Sequence, residues 1–82
     1  MILVDVYVPV LNQLYNFKLD ENAYIADLVE ELGEIIFFKD TDDFTEQMEN
    51  LILCDYQRQQ VFPMNQTLKQ NGIGSGCRLV LI

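Results

Sequence analysis

The chain has 82 residues, of which 13 are acidic and 5 are basic, and its formal net charge is −8. This length predicts a single domain over residues 1–82, and the balance of 50% apolar and 22% charged residues is typical of a globular protein. The excess of negative charge argues against nucleic acid or an anionic membrane surface as a partner. The chain also has no histidine, the usual acid–base group near neutral pH, so we expect no enzymatic activity and no cofactor.

The apolar runs are too short for a membrane span. The run at residues 35–38 is far below the roughly 18 residues that a membrane helix requires. Residues 1–5 lack the basic n-region with which a signal peptide begins, so we expect no signal peptide. The two cysteines, Cys54 and Cys77, are too few for a disulfide scaffold and are expected to stay reduced. We therefore expect a cytoplasmic protein that does not insert into a membrane.

The first third of the chain has the two-residue period of β-strands. At residues 2–10, Ile2, Val4, Val6 and Val8 fall on one face, and Pro9 either ends the strand or lies at its edge. A polar turn at residues 12–13 leads into a second alternating segment at residues 14–20. The pattern predicts an N-terminal β-hairpin.

The period then changes to that of a helix. The pattern predicts a helix with one apolar face and an acidic face opposite to it. The apolar stripe consists of Ile25, Leu28, Val29, Leu32, Ile35 and Ile36. Asn22 is the candidate N-cap. An exposed connection is expected at residues 39–43, followed by a short helical turn at residues 44–49.

The last third of the chain returns to short strands. The pattern predicts a third strand at residues 51–54 and a fourth at residues 61–62, separated by a turn. Residues 67–73 predict a tight helical turn that ends at Gly72, and residues 77–82 predict the last strand.

Charge is unevenly distributed along the chain. Residues 20–49 contain eleven acidic side chains and one basic one, whereas the rest of the chain contains four basic and two acidic ones. This segregation can orient an approaching partner, or it can serve only to keep a small apolar-rich protein in solution.

Two motifs suggest ligand binding, but neither has the residue spacing that the corresponding binding loop requires. A calcium-binding EF-hand loop starting at Asp40 and Asp42 requires glycine at position 45 and glutamate at position 51, where the chain has Thr45 and Leu51. The glycines at positions 72, 74 and 76 precede a predicted strand, whereas a phosphate-binding loop requires a helix N-terminus there. Neither motif predicts a metal or cofactor site.

The element order and the end of the sequence resemble the ubiquitin-like family. The C-terminal part of this resemblance is carried by Thr67-Leu68, Gly72-Ile73, Gly76, Leu79 and Leu81, and the N-terminal part by the hairpin residues 17–20 that lead into the helix. The resemblance implies an α+β protein with the β-grasp (ubiquitin-like) fold, in which a mixed sheet of four to five strands packs on one amphipathic helix.

The sequence differs from ubiquitin and from sulfur-carrier proteins in lacking a terminal Gly-Gly, so conjugation is not expected. Length and the C-terminal pattern resemble the YukD-like family, which includes EsaB, of small proteins associated with type VII (WXG100) secretion in Gram-positive bacteria. This resemblance implies a cytosolic accessory or regulatory factor that works by binding proteins, including components of the secretion system. Two alternatives stay open: an adaptor outside secretion, and a structural protein that associates with itself.

The strand pattern also predicts a binding surface. If Leu79 and Leu81 face the helix, the alternate residues Arg78, Val80 and Ile82 face outward, and Ile52 of the third strand is expected beside them. We expect an apolar patch rimmed by basic side chains, and its candidate residues are Ile52, Arg78, Val80, Ile82, Lys18 and Arg58.

Overall fold

A computed structural model describes residues 1–37 and 51–82 of the chain. The connection expected at residues 39–43, the helical turn expected at residues 44–49 and the Asp40–Asp42 pair lie outside the described residues.

The N-terminal hairpin is present as the sequence predicts. Strand β1 covers Ile2–Val8 and strand β2 covers Gln13–Leu19, and the two are antiparallel. Residues Pro9–Leu11 form a 3-10 turn, which ends at Asn12 in the left-handed conformation with a φ of 51°. All four apolar side chains that were assigned to the inner face of β1 are buried, which confirms the alternation.

Helix α1 covers Ile25–Phe37 and buries one face against the sheet. Ile25, Leu28, Leu32 and the other predicted stripe residues are buried, with one exception. The prediction was wrong for Ile35, which is 58% exposed. Successive residues turn about 100° around a helix, so Ile35 lies at the margin of a stripe centred near Leu32 and Ile36.

The start of α1 is capped by a distant segment and not by the predicted Asn22. The N–H of Ile25 donates to the carbonyl of Gln66 at 2.8 Å, and the N–H of Ala26 donates to that of Met64 at 3.1 Å. Asn22 lies before the helix and its own N–H donates to the Asp20 carboxylate. Backbone carbonyls from the loop after β4 thus satisfy N–H groups that have no partner within the helix.

The remaining strands of the described residues join the hairpin in one five-stranded mixed sheet. Strand β3 covers Leu53–Asp55, β4 covers Gln60–Val61 and β5 covers Arg78–Leu81, and the spatial order is β2-β1-β5-β3-β4. Strands β1 and β5 are parallel, and every other neighbouring pair is antiparallel. The predicted architecture, one helix packed on a mixed sheet, is therefore confirmed. The bounds of β3 and β4 differ from the predicted ones by one or two residues.

The predicted helical turn after β4 is also present. Residues Lys69–Asn71 form a 3-10 turn, and Gly72 follows with a φ of 73°, a conformation that glycine adopts without strain. Leu68, at the start of this turn, is fully buried in the core between helix and sheet. Among the described residues, no helix is long and apolar enough to cross a membrane.

Candidate functional site

The face of the sheet that lies away from α1 carries the candidate patch. Leu79 and Leu81 are fully buried beneath the helix, so the side chains of Arg78, Val80 and Ile82 lie on the opposite face. We call this opposite face the outer face. It is formed by the alternate residues of β5 and of the strands beside it.

Strand β3 places its own apolar residues beside those of β5. Ile52 and Ile82 exchange two backbone hydrogen bonds of 2.7 and 3.0 Å, so they lie directly opposite each other. Cys54 is opposite Val80 in the same register. Because opposed residues of antiparallel strands share a face, Ile52, Val80 and Ile82 form one apolar cluster, and Ile82 is 50% exposed within it.

A shallow depression of 280 Å³ adjoins this cluster, and its lining includes Cys54, Tyr56, Val80 and Ile82. Such a concave apolar surface can receive an apolar side chain of another protein, which is the common arrangement at the centre of protein interfaces.

Arg78 forms a polar margin to the cluster. Its guanidinium carbon lies 5.4 Å from the centre of the Tyr56 ring, a cation–π distance, and the Tyr56 N–H donates to the Arg78 carbonyl at 3.1 Å. On the other side of this pair, Tyr7 and Leu14 line a second depression of 380 Å³ together with Tyr56 and Arg78. Tyr56 therefore lines both hollows, and Arg78 places a cation at the second one.

The two other basic residues of the predicted patch lie elsewhere. Lys18 is on the outer face but opposite Leu3, two strands away from β5 and roughly 15 Å from Val80 by strand spacing and rise. Arg58 lies in the β3–β4 turn, where Nη1 donates to the Asn71 carbonyl at 3.1 Å and Nε lies 3.6 Å from the Asp55 carboxylate. The structure thus brings Ile52, Arg78, Val80 and Ile82 together and does not bring Lys18 or Arg58 to them.

Three residues of this surface were missing from the sequence-based patch. Tyr7 and Leu14 join it because β1 and β2 continue the outer face on one side of β5. Tyr56 joins it from the other side, where it follows β3 and its N–H donates to the Arg78 carbonyl. The alternation of β1 already placed Tyr7 away from the core. Tyr56 follows Ile52 and Cys54 at the same two-residue spacing, which is the signal that identifies it.

The thiols and the potential metal ligands of the described residues are the other reactive groups to place. Both cysteines are free thiols, and burial raises the pKa of the Cys54 thiol, which lowers its thiolate fraction at neutral pH. Among the residues that the structure describes, no three potential metal ligands come together. The arrangement on the outer face is suited to contact with another macromolecule.

Solved structures with the same arrangement of helix and sheet were found. The N-terminal ubiquitin-like domain of the 4931431F19Rik protein aligns with a TM-score of 0.76 and 18% identity, over 99% of this chain and 72% of that one. Caldiarchaeum subterraneum ubiquitin aligns with a TM-score of 0.75 and 13% identity, over 99% of this chain and 90% of that one. The fold is a ubiquitin-like β-grasp.

A third similar structure is ATBAG1, which was determined in complex with HSP70. It aligns with a TM-score of 0.75 and 15% identity, and the match covers 100% of this chain and 40% of that one. No protein-family model matches the sequence, and no curated protein matches it. At these identities the ubiquitin-like structures establish the fold of the chain.

Proposed function

We propose that the chain is a non-catalytic protein-binding module that engages its partner through the outer face of the sheet. In this proposal it acts by binding, without being conjugated, as a cytoplasmic accessory or regulatory component of a type VII secretion system. The observation that carries the binding role is the cluster of Ile52, Val80 and Ile82 beside the Arg78–Tyr56 pair.

The physical support for this role is the composition of the surface. Aromatic side chains and arginine are enriched where binding energy concentrates in protein interfaces, and here they adjoin two apolar hollows. ATBAG1, 40% of which aligns with this chain, was determined in complex with HSP70, and a protein partner for this chain is consistent with that similarity. The partner favoured by this surface presents apolar side chains and an acidic group for Arg78.

Replacing Val80 and Ile82 together with aspartate tests the surface. We expect the double variant to bind its partner at least about tenfold more weakly, since it places two charges where apolar contacts form. Partners retained by the wild-type chain from a lysate of its host are identified, purified and titrated by calorimetry. Alkylation of Cys54 gives a second readout, because a partner seated on the wild-type surface shields this thiol, which lines the same hollow.

The matched control is Ile35→Asp, which adds a charge at an exposed apolar position on the helix, on the opposite side of the sheet. Both variants are first shown to be folded by circular dichroism. Equal affinity of the wild-type chain and the Val80→Asp/Ile82→Asp variant would remove the outer face from the proposal.

The secretion role rests on the resemblance of the length and C-terminal pattern to the YukD-like family. Deleting the gene in its host is expected to reduce export of WXG100 proteins, measured in the culture medium, while their cytoplasmic synthesis continues. Complementation with the wild-type gene restores export, and complementation with the Val80→Asp/Ile82→Asp variant does not. Unchanged export in the deletion strain would reject the secretion role. The binding role would still be tested by the calorimetric titration of the Val80→Asp/Ile82→Asp variant.

A further inference from the structure

Strand β2 forms an open edge of the sheet. It is seven residues long, Gln13–Leu19, and none of the described strands pairs with the side that faces away from β1. Edge strands are commonly protected by proline, by a bulge or by several charges. Strand β2 has no proline, pairs with β1 in continuous register, and has Lys18 as its one charged residue. This edge is therefore competent to accept another strand.

The hydrogen bonds of β1 establish which residues of β2 present their backbone groups at this edge. The N–H of Asp5 donates to Cys77 at 3.0 Å and the carbonyl of Leu3 accepts from Gly76 at 2.8 Å, so the odd-numbered residues of β1 bond toward β5. The even-numbered residues of β1 then bond toward β2, where their register partners are odd-numbered. The N–H and carbonyl groups of β2 that have no strand partner among the described residues therefore belong to Leu14, Asn16 and Lys18.

The sequence of β2 is complementary to itself when two copies run antiparallel. In a register centred on Asn16, this residue pairs with its own copy, and Leu14 pairs with Lys18 of the second copy on both sides of the axis. All three edge-facing residues of each copy then exchange backbone hydrogen bonds. A register centred on Tyr15 or Phe17 pairs only two of these three residues with each other and leaves the third opposite a residue outside β2, so it forms fewer backbone hydrogen bonds.

The side chains also match in this register. Tyr15 of each copy lies opposite Phe17 of the other on the helix side of the sheet, where both rings are half-buried and already lie 5.9 Å apart within one chain. Aromatic cross-strand pairs stabilise antiparallel sheets. On the outer face no like charges are directly opposed, since Lys18 faces Leu14.

We propose that the chain forms a twofold dimer in which β2 of one copy pairs antiparallel with β2 of a second copy, centred on Asn16. The two five-stranded sheets then form one sheet of ten strands. This contact is at the edge of the sheet and does not depend on the partner proposed for the outer face.

The dimer is expected to be weak and to be favoured by salt. One strand-to-strand junction buries less than the roughly 1,200 Å² of a standard stable interface. Each copy also carries a net charge of −8, and salt screens the repulsion between the two copies. Association is therefore expected at high micromolar concentration and is expected to strengthen between low and moderate ionic strength.

Charge substitutions at Leu14, which is exposed, test the register. Sedimentation equilibrium from about 10 µM to about 1 mM follows the mass from that of one chain, 9.6 kDa, toward twice that value. Leu14→Lys places lysine opposite Lys18 twice and is expected to weaken the dimer at least about tenfold, whereas Leu14→Glu creates two opposite-charge pairs and is expected to strengthen it. The double variant Leu14→Lys/Lys18→Glu restores opposite charges and is expected to recover association.

Amide hydrogen exchange gives an independent readout of the same register. With increasing concentration, the amides of Leu14, Asn16 and Lys18 are expected to gain protection, while those of Tyr15 and Phe17, already bonded to β1, change little. If the wild-type chain and Leu14→Glu both stay monomeric at 1 mM, or if a dimer forms that is insensitive to all three substitutions, the proposal is overturned. If this edge instead pairs with a strand of a different protein, the wild-type chain and Leu14→Glu are both expected to stay monomeric at 1 mM, which is the first of these two outcomes.

Discussion

Substituting Leu32 by alanine is expected to lower the free energy of unfolding by about 3 kcal/mol. Leu32 is fully buried at the middle of α1, where the helix packs on the sheet. The substitution removes buried methyl groups and leaves a cavity, and a domain of this size has a total stability of only about 5–10 kcal/mol. Urea unfolding followed by circular dichroism measures the change.

Ile35→Ala on the same helix is the matched control. Ile35 is 58% exposed, so we expect its loss to change stability by less than about 0.5 kcal/mol, with the higher helix propensity of alanine offsetting the lost contacts. A similar large loss in both variants would contradict the position of the buried stripe.

Substituting Asp55 by alanine is expected to cost about 2 kcal/mol, because it leaves a partly buried N–H without its acceptor. Asp55 is 6% exposed at the end of β3, and its Oδ1 accepts the N–H of Gln57 at 3.0 Å. Its carboxylate also lies 3.6 Å from Nε of Arg58. Thermal and urea unfolding measure the loss.

Asp55→Asn separates the hydrogen bond from the charge. Asparagine keeps an oxygen that can accept the Gln57 N–H, and the ion pair that it removes involves an exposed arginine. The asparagine variant is therefore expected to lose less than about 1 kcal/mol. If it loses as much as the alanine variant, the ion pair with Arg58 and not the turn hydrogen bond stabilises this end of β3.

The sequence predicts those strands and helices in which apolar residues repeat regularly because one face of the element is buried. The alternation in β1 and the stripe in α1 are local signals of burial, and both are present in the structure with small differences in their bounds. Ile35 marks the limit of this signal, because a residue at the margin of a stripe is buried only if a neighbouring element reaches it.

Contacts between distant segments could not be predicted from local pattern. The cap on α1 comes from backbone carbonyls at Met64 and Gln66, which carry no side-chain signature. The hydrogen bond from Arg58 to Asn71 and the distance of Lys18 from β5 depend on strand order and on the path of a turn. The outer-face residues on β5 were predictable because alternation alone assigns them.

The parallel pairing of β1 with β5 has a consequence for how the chain folds during synthesis. Asp5 pairs with Arg78, so the central contact of the sheet joins segments from opposite parts of the sequence. Contacts of such long sequence separation slow folding, because closing the long loop between the two segments costs conformational entropy before the contact stabilises the chain. During synthesis, the β1–β2 hairpin and α1 leave the ribosome before residues 78–81 do. Their apolar faces stay exposed until β5 pairs with β1, and this exposure makes the nascent chain a candidate for chaperone binding.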